Sequence, residues 1–178
     1  MRSLLPILTL GLLSVACGEG GHGGIPGEEL GTYGVVGTLS SSSCGPDALG
    51  ATDPWQFEVR LSKADRELFW LNGREAIAGR LSTDGVTFEF ETRVEVEALP
   101  AERGRKACVV SRSDQAQGVL SAAAGDVLAF SGELAFEYSV LEDSDCSPLV
   151  GVTGGFAALP CSMAYALQAA RTKEPERR

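Results

Sequence analysis

The side chains that most often carry out catalysis are sparse in this 178-residue chain. Its single histidine, His22, lies among glycines near the N-terminus. Ser-His-Asp and Cys-His catalysis need an imidazole held rigidly beside a nucleophile, and zinc hydrolases usually need several histidines. We therefore predict that His22 is solvated and that the chain has no catalytic site of these types, no metal site and no cofactor.

Paired carboxylates are the remaining candidates for catalysis, because two acids can hydrolyse a glycoside without histidine. Glu89 and Glu91 alternate with apolar residues, which predicts that both acids lie on a solvent-exposed strand face. Asp143 and Asp145 lie in an acidic segment that lacks the glycine and the distant glutamate of a helix-loop-helix calcium site. Neither pair predicts a catalytic site.

The cysteines carry more informative chemistry, and there are five: Cys17, Cys44, Cys108, Cys146 and Cys161. The last four have no Cys-x-x-Cys spacing and no accompanying histidine, so zinc binding is not predicted. In an oxidising compartment, five cysteines leave one unpaired unless that one has another use. The last four therefore predict two disulfides, and Cys17 predicts a separate role.

Residues 1–16 have the organisation of a secretory signal peptide, with Arg2 first, then an apolar run, then Ser14, Val15 and Ala16. A helix needs about 20 apolar residues to cross a bilayer, and this run is much shorter. We therefore predict an export signal and not a transmembrane anchor.

The segment Leu13-Ser14-Val15-Ala16-Cys17 resembles the lipobox of bacterial lipoproteins, in which the signal is cut before a cysteine that is then diacylated. It departs from the usual lipobox at Ser14, where an aliphatic residue is common. The resemblance implies a lipid on Cys17 and attachment to a membrane of the bacterial envelope, as an outer-membrane protein facing the periplasm or the cell surface. Ordinary secretion is the alternative, because small residues before Cys17 also fit the cleavage rule for soluble exported proteins.

The rest of the chain divides by composition into a tether, one domain and a tail. Seven of the fourteen residues in 18–31 are glycine, so we expect residues 17–31 to be a flexible tether. Residues 32–171 have the length of a single domain, and the charged tail 172–178 is expected to fray. The net charge of −9 argues against nucleic acid as a partner.

Side-chain alternation predicts an all-β domain. Strict alternation over 55–61, 88–96 and 128–140 indicates strands with one apolar and one wet face. The turn dipeptides Asn72-Gly73 and Asp84-Gly85 separate apolar runs, which predicts a four-stranded antiparallel meander over 55–96. At Asp84-Gly85 we expect a type I′ turn that sets Leu81 opposite Phe88, Gly79 opposite Phe90 and Arg80 opposite Glu89.

Four weaker stretches, 33–40, 106–112, 117–123 and 163–170, raise the expected count to eight or nine strands. Strands in up-and-down order predict a closed barrel, with a two-layer β-sandwich as the alternative. Gly37, Gly79 and Gly132 interrupt inward faces in mid-strand, where a barrel needs room to bend, and this favours the barrel.

Strand parity ranks the three disulfide pairings that four cysteines allow. If nine strands run alternately up and down, Cys44 and Cys108 lie at one end of the barrel, and Cys146 and Cys161 lie at the other. We therefore predict the pairs Cys44–Cys108 and Cys146–Cys161, with the other two combinations left open.

Aromatic residues are concentrated on the predicted inward faces: Trp55, Phe57, Trp70, Phe88, Phe90, Phe130, Phe136, Tyr138 and Tyr165. In a small barrel such residues either fill the core or line a pocket for one apolar ligand. Trp70, Phe90 and Phe136 are our candidate pocket residues.

These expectations combine in a lipid-anchored envelope protein with a non-catalytic binding domain. Its partner would be a small apolar molecule or another envelope protein. The alternatives are a carboxylate-dependent hydrolase of envelope polysaccharide and a structural or assembly factor.

Overall fold

The computed structural model describes residues 25–45, 48, 53–73, 75–151 and 154–175. They form eight strands: β1 (Glu28–Ser42), β2 (Trp55–Ala64), β3 (Glu67–Leu71), β4 (Ala76–Leu81), β5 (Thr87–Leu99), β6 (Cys108–Ala123), β7 (Asp126–Val140) and β8 (Cys161–Lys173). Each strand pairs antiparallel with the next, and β1 also pairs with β8. The predicted all-β barrel is confirmed, because this last pairing closes the sheet.

Alternation of side chains produces the barrel wall, as expected. Phe88 and Phe90 are buried inside, while Glu89 and Glu91, which alternate with them, are exposed. A strand in a closed barrel must do this, because successive side chains point to opposite faces of the sheet.

The strands extend beyond the predicted limits of the domain at both ends. β1 begins at Glu28, within the range assigned to the tether, because Glu28 and Glu29 pair with Lys63 and Ser62 of β2. β8 runs to Lys173, within the range assigned to the tail, because Lys173 pairs with Thr32.

The two stretches 106–112 and 117–123 are one continuous strand, β6. Val110, Ala116 and Leu120 are buried on its inward face, but Arg112 and Asp114 occupy the inward positions between them. This charged pair interrupts the apolar pattern, which is why the sequence predicts two strands where the structure has one.

The predicted disulfide pairing is wrong: the bonds join Cys44 to Cys161 and Cys108 to Cys146. With β6 as a single strand, the parity of every later strand changes, and all four cysteines lie at the same end of the barrel. Each bond then links neighbouring strands. Cys44 follows β1 and Cys161 begins β8, whereas Cys108 begins β6 and Cys146 follows its neighbour β7.

We call this end of the barrel the disulfide end. The opposite end, where β1 begins and the tight β2–β3, β4–β5 and β6–β7 turns lie, we call the hairpin end.

The hairpins keep most of the predicted register, although Gly79 and Phe90 do not form the predicted pair. Leu81 pairs with Phe88 and Arg80 with Glu89, and Trp70 pairs with Ile77 across the other turn.

The turn between β4 and β5 is not the predicted type I′ turn, which needs a positive φ at both central residues. Gly85 has φ +72° but Asp84 has no positive φ. The Gly85 N–H donates to the Ser82 carbonyl at 2.9 Å, and the Val86 N–H donates to the Asp84 carboxylate at 2.9 Å.

Some apolar residues that alternate correctly are nevertheless exposed. Leu128 is 42% exposed because a register shift in the β6–β7 pairing turns it out of the barrel. Val94 and Val96 are exposed because β5 continues well past its pairing with β4.

Buried residues such as Met163 and Tyr165 continue the core toward the disulfide end along β8, but the core is most complete in the half of the barrel next to the hairpin end. Tyr33, Leu68, Phe88, Phe130 and Leu167 are at most 2% exposed there. No helix among the described residues is long and apolar enough to span a membrane.

Candidate ligand-binding cavity

The half of the barrel next to the disulfide end is only partly filled, although Phe136, Met163 and Tyr165 are buried there. It contains a cavity of about 340 Å³, which lies within the range of small-molecule sites. The lining combines an aromatic and aliphatic majority with a few polar side chains: Trp55, Phe57, Trp70, Asn72, Ile77, Phe90, Thr92, Arg112, Asp114, Ala116, Leu134 and Phe136. A largely apolar cavity with a few convergent polar groups is typical of a ligand site.

Stacked rings separate the cavity from the filled core below it. The ring centroid of Trp70 lies 5.6 Å from that of Phe90 and 5.7 Å from that of Phe130. Phe130 in turn lies 5.6 Å from Tyr33 near the hairpin end. Tilted and edge-to-face contacts at these distances are favourable, so these rings form a firm floor for the cavity.

All three candidate pocket residues, Trp70, Phe90 and Phe136, line this cavity. Other aromatics that we expected to face inward, such as Phe88 and Phe130, belong to the filled core instead. Trp55 also lines the cavity, so a ligand bound there would contact both tryptophans of the chain and change their fluorescence.

The barrel wall is incomplete on the side where β4 and β5 meet. Within the described residues these strands share two register pairs, Arg80–Glu89 and Leu81–Phe88, and the predicted Gly79–Phe90 pair does not form. Among the described residues no register pair joins β4 and β5 beyond Arg80–Glu89, which leaves a gap in the wall, and the Phe90 ring lies where a side chain on Gly79 would project. Ile77 and Thr92 line the cavity on either side of the resulting gap, and the half-buried state of both residues indicates access from solvent.

A charged pair lies on the inner wall opposite the tryptophans. The Arg112 Nε–H donates to Asp114 Oδ1 at 2.6 Å, and an Nη2–H donates to Oδ2 at 2.7 Å. The two residues are two positions apart on β6, so both side chains point into the barrel. Bidentate pairing holds the guanidinium and the carboxylate in one plane.

The Arg112 guanidinium packs against the ring of Phe136. Its central carbon lies 5.4 Å from the ring centroid of Phe136, within cation–π range. Burial alone would lower the pKa of Arg112, but hydrogen bonding to Asp114 and the Asp114 charge raise it above its ordinary value. Burial also raises the pKa of the adjacent Tyr138, although the Arg112 charge opposes this shift. Arg112 is therefore a permanent cation, and Tyr138 is a neutral hydrogen-bonding group.

The sequence analysis missed Arg112 and Asp114 as site residues. The sequence does contain a pattern that could have identified them. The alternate positions of this strand are occupied by Val110, Arg112, Asp114, Ala116 and Leu120. Charged residues at inward positions are more informative than buried apolar ones, because a barrel interior rarely tolerates them without a partner.

The carboxylate pairs considered for catalysis lie away from the cavity. Glu89 and Glu91 are exposed on the outer face of β5, as expected. The Asp143 carboxylate accepts from Lys106 at 2.7 Å, and Asp145 accepts from the Ser147 hydroxyl at 2.7 Å. Among the described residues, no group of three or more His, Cys, Asp or Glu side chains is placed to bind a metal.

Cys17 and His22 lie outside the described residues. The four remaining cysteines form disulfides at the rim of the barrel and do not line the cavity. No family model, curated protein or solved structure matches the chain at a significant level.

Proposed function

We propose that this protein is a lipid-anchored module of the bacterial envelope that binds a small, mainly apolar molecule inside its barrel. The observation that carries the proposal is the cavity of about 340 Å³ lined by Trp55, Phe57, Trp70, Phe90 and Phe136. A well-packed small barrel would fill this space with side chains. Open apolar space next to a tightly packed core supports a ligand site.

Binding is a better account of this cavity than hydrolysis. Asp114 is the one carboxylate among the described residues that line it, and Arg112 holds that carboxylate in a bidentate pair. Glycoside hydrolysis ordinarily uses two carboxyl groups that flank the scissile bond.

The position of the cavity suits a tethered protein. β1 begins at the hairpin end, whereas the cavity lies toward the disulfide end. With a lipid on Cys17, the chain would leave the membrane and enter the barrel from the end away from the cavity. The ligand would then enter from the aqueous side.

Fluorescence titration tests the proposal directly. The full chain carrying Cys17→Ser avoids detergent, which would compete for an apolar cavity. The uncharged apolar dye N-phenylnaphthylamine should quench Trp55 and Trp70 and should saturate at one dye per chain, because both tryptophans line the site. Unsaturable binding, or no binding, would contradict the proposal.

A pair of matched variants locates the dye. Ala116→Phe adds a ring inside the cavity and should weaken dye binding by about tenfold or more, because the ring occupies the ligand's space. Ala166→Phe adds the same ring on the exposed face of β8 and should leave binding unchanged. Ala116→Leu is a milder variant if the larger ring impairs folding, which circular dichroism would reveal.

A further inference from the structure

Three of the four polar side chains that line the cavity, Thr92, Arg112 and Asp114, lie on the wall formed by β5 and β6, and the fourth, Asn72, follows β3. Thr92 of β5 lies directly opposite Asp114 of β6 in the antiparallel register, and both line the cavity together with Arg112. Trp55 and Trp70 line the cavity from β2 and β3. A molecule in this space would meet the tryptophan rings and Asn72 on one side, and the hydrogen-bonding groups of Thr92, Arg112 and Asp114 on the other.

The charges on the polar wall cancel. Arg112 and Asp114 are held together by two hydrogen bonds of 2.6 and 2.7 Å, so the wall offers no net charge to an incoming ligand. A charged ligand would lose its hydration on entering the apolar cavity. This desolvation costs free energy, and the cavity has no unpaired charge of opposite sign to offset it. An anion would also meet the Asp114 carboxylate, and a cation would meet the Arg112 guanidinium.

The wall still has hydrogen-bonding capacity for a neutral group. A guanidinium carries more N–H donors than the contacts with Asp114 and Tyr138 use, and a carboxylate accepts more than two hydrogen bonds. Thr92 adds a hydroxyl that donates or accepts. These groups suit an oxygen that is polar but not ionised.

We propose that the cavity selects an uncharged, mainly apolar compound with one hydrogen-bonding oxygen, such as an alcohol, a ketone or an amide, and that Arg112 and Asp114 together recognise that oxygen. This inference rests on the proposed function, because it assigns a ligand class to the same cavity. Arg112 and Asp114 are then specificity-determining residues, and the aromatic rings supply most of the affinity.

The test uses three compounds that share the same apolar skeleton and differ in the charge of their polar group: adamantanol, adamantanecarboxylate and adamantylammonium. None of them absorbs where tryptophan is excited, so quenching or a shift of Trp55 and Trp70 emission measures binding to the Cys17→Ser chain. We expect adamantanol to bind at least about tenfold more tightly than either ion at neutral pH.

The double variant Arg112→Met/Asp114→Leu removes both charges at once and leaves no unpaired ion in the barrel. It should abolish the preference for adamantanol over an apolar skeleton without oxygen, such as adamantane itself. The matched control Glu29→Leu/Arg60→Leu removes a salt bridge of 3.2 Å that does not line the cavity, and it should retain the preference.

Each result bears on the inference. Tighter binding of adamantanecarboxylate or of adamantylammonium would overturn it, as would equal affinity for all three compounds or a preference that survives the double variant. If N-phenylnaphthylamine binds but adamantanol does not, this inference fails while the proposed function stands. If neither the dye nor any adamantane compound binds, both fail.

Discussion

At the residue scale, Arg112 and Asp114 show how charge is accommodated inside a small barrel. Their side chains are 34% and 19% exposed, so each is partly removed from water, and each satisfies the other through two hydrogen bonds. Phe136 packs against the guanidinium and limits its movement. A paired charge of this kind adds little to stability, but it fixes the position of polar groups that a ligand would contact.

Tyr33, at the hairpin end, predicts how stability depends on pH. The side chain is buried and its hydroxyl donates to the Val127 carbonyl at 2.9 Å. Burial raises its pKa to about 12, from 10.0 in the absence of burial. Burial disfavours the tyrosinate form of Tyr33 in the folded state. The stability that the buried, protonated side chain contributes is therefore fully present below pH 10 and is lost as the pH rises toward 12.

We therefore expect the wild type to lose about 1 kcal/mol more unfolding free energy than Tyr33→Phe between about pH 9 and about pH 11. Urea denaturation at both pH values measures the difference. Equal losses in the two proteins would show that Tyr33 ionises as easily in the folded as in the unfolded chain.

At the element scale, two glycines allow β6 and β7 to pack closely. Gly118 and Gly132 pair in register on the inward face, and the Phe88 ring packs against Gly118. A Cβ on Gly132 would collide with the Gln117 carbonyl oxygen and would lie 2.8 Å from the Gly118 Cα. The strands would have to separate to admit a side chain.

Substitution of Gly132 by alanine should lower the unfolding free energy by about 2 kcal/mol, because the added methyl meets backbone atoms that cannot rotate away. Gly37→Ala is the matched control. Its Cβ would make ordinary contacts at 3.4 Å or more, so we expect a change within about 0.5 kcal/mol. Thermal or urea unfolding compares the two, and a larger effect at Gly37 would contradict the packing argument.

The two disulfides should stabilise the barrel unequally. Cys44–Cys161 closes a separation of 117 residues, whereas Cys108–Cys146 closes one of 38. Loop-closure entropy assigns about 5 kcal/mol to the longer loop and about 4 kcal/mol to the shorter one. Replacing Cys44 and Cys161 by alanine should therefore cost about 1 kcal/mol more than replacing the other pair.

Urea denaturation of the two double variants measures that order, and non-reducing peptide mapping of the wild type checks the pairing itself. The reverse order of stability would indicate that the native contacts around each bond, and not the loop length, determine its contribution.

At the scale of the whole molecule, the cavity and both disulfides lie in the same half of the barrel. The core is most complete at the hairpin end, and the half next to the disulfide end contains the cavity beside buried residues such as Met163 and Tyr165, with two disulfides at its rim. The disulfides join the ends of β1 and β8 and the ends of β6 and β7 in this half.

Lipidation of Cys17 remains our prediction for the protein in the cell, and it follows from the signal-like N-terminus and the odd cysteine count. Intact mass spectrometry of protein from bacterial membranes should show a diacylated Cys17 as the new N-terminus. Cys17→Ser should abolish this diacyl modification, because the acyl groups require the Cys17 thiol. An unmodified N-terminus recovered in the soluble fraction of the wild type would instead support ordinary secretion.

The sequence alone determined the fold class and the inward face of most strands, because alternation and turn signals are local properties. It therefore predicted the barrel, the Leu81–Phe88 register and the inward positions of Trp70, Phe90 and Phe136.

The tertiary structure alone decided that β6 is one strand and therefore which cysteines lie at the same end of the closed barrel. Closure brings Cys44 beside Cys161, and the continuity of β6 brings Cys108 beside Cys146. It also decided that Arg112 and Asp114 face the interior, because a mutually neutralised ion pair is tolerated there although each charge alone would be excluded. The cysteine pairing depends on contacts between residues distant in sequence, which local patterns do not encode.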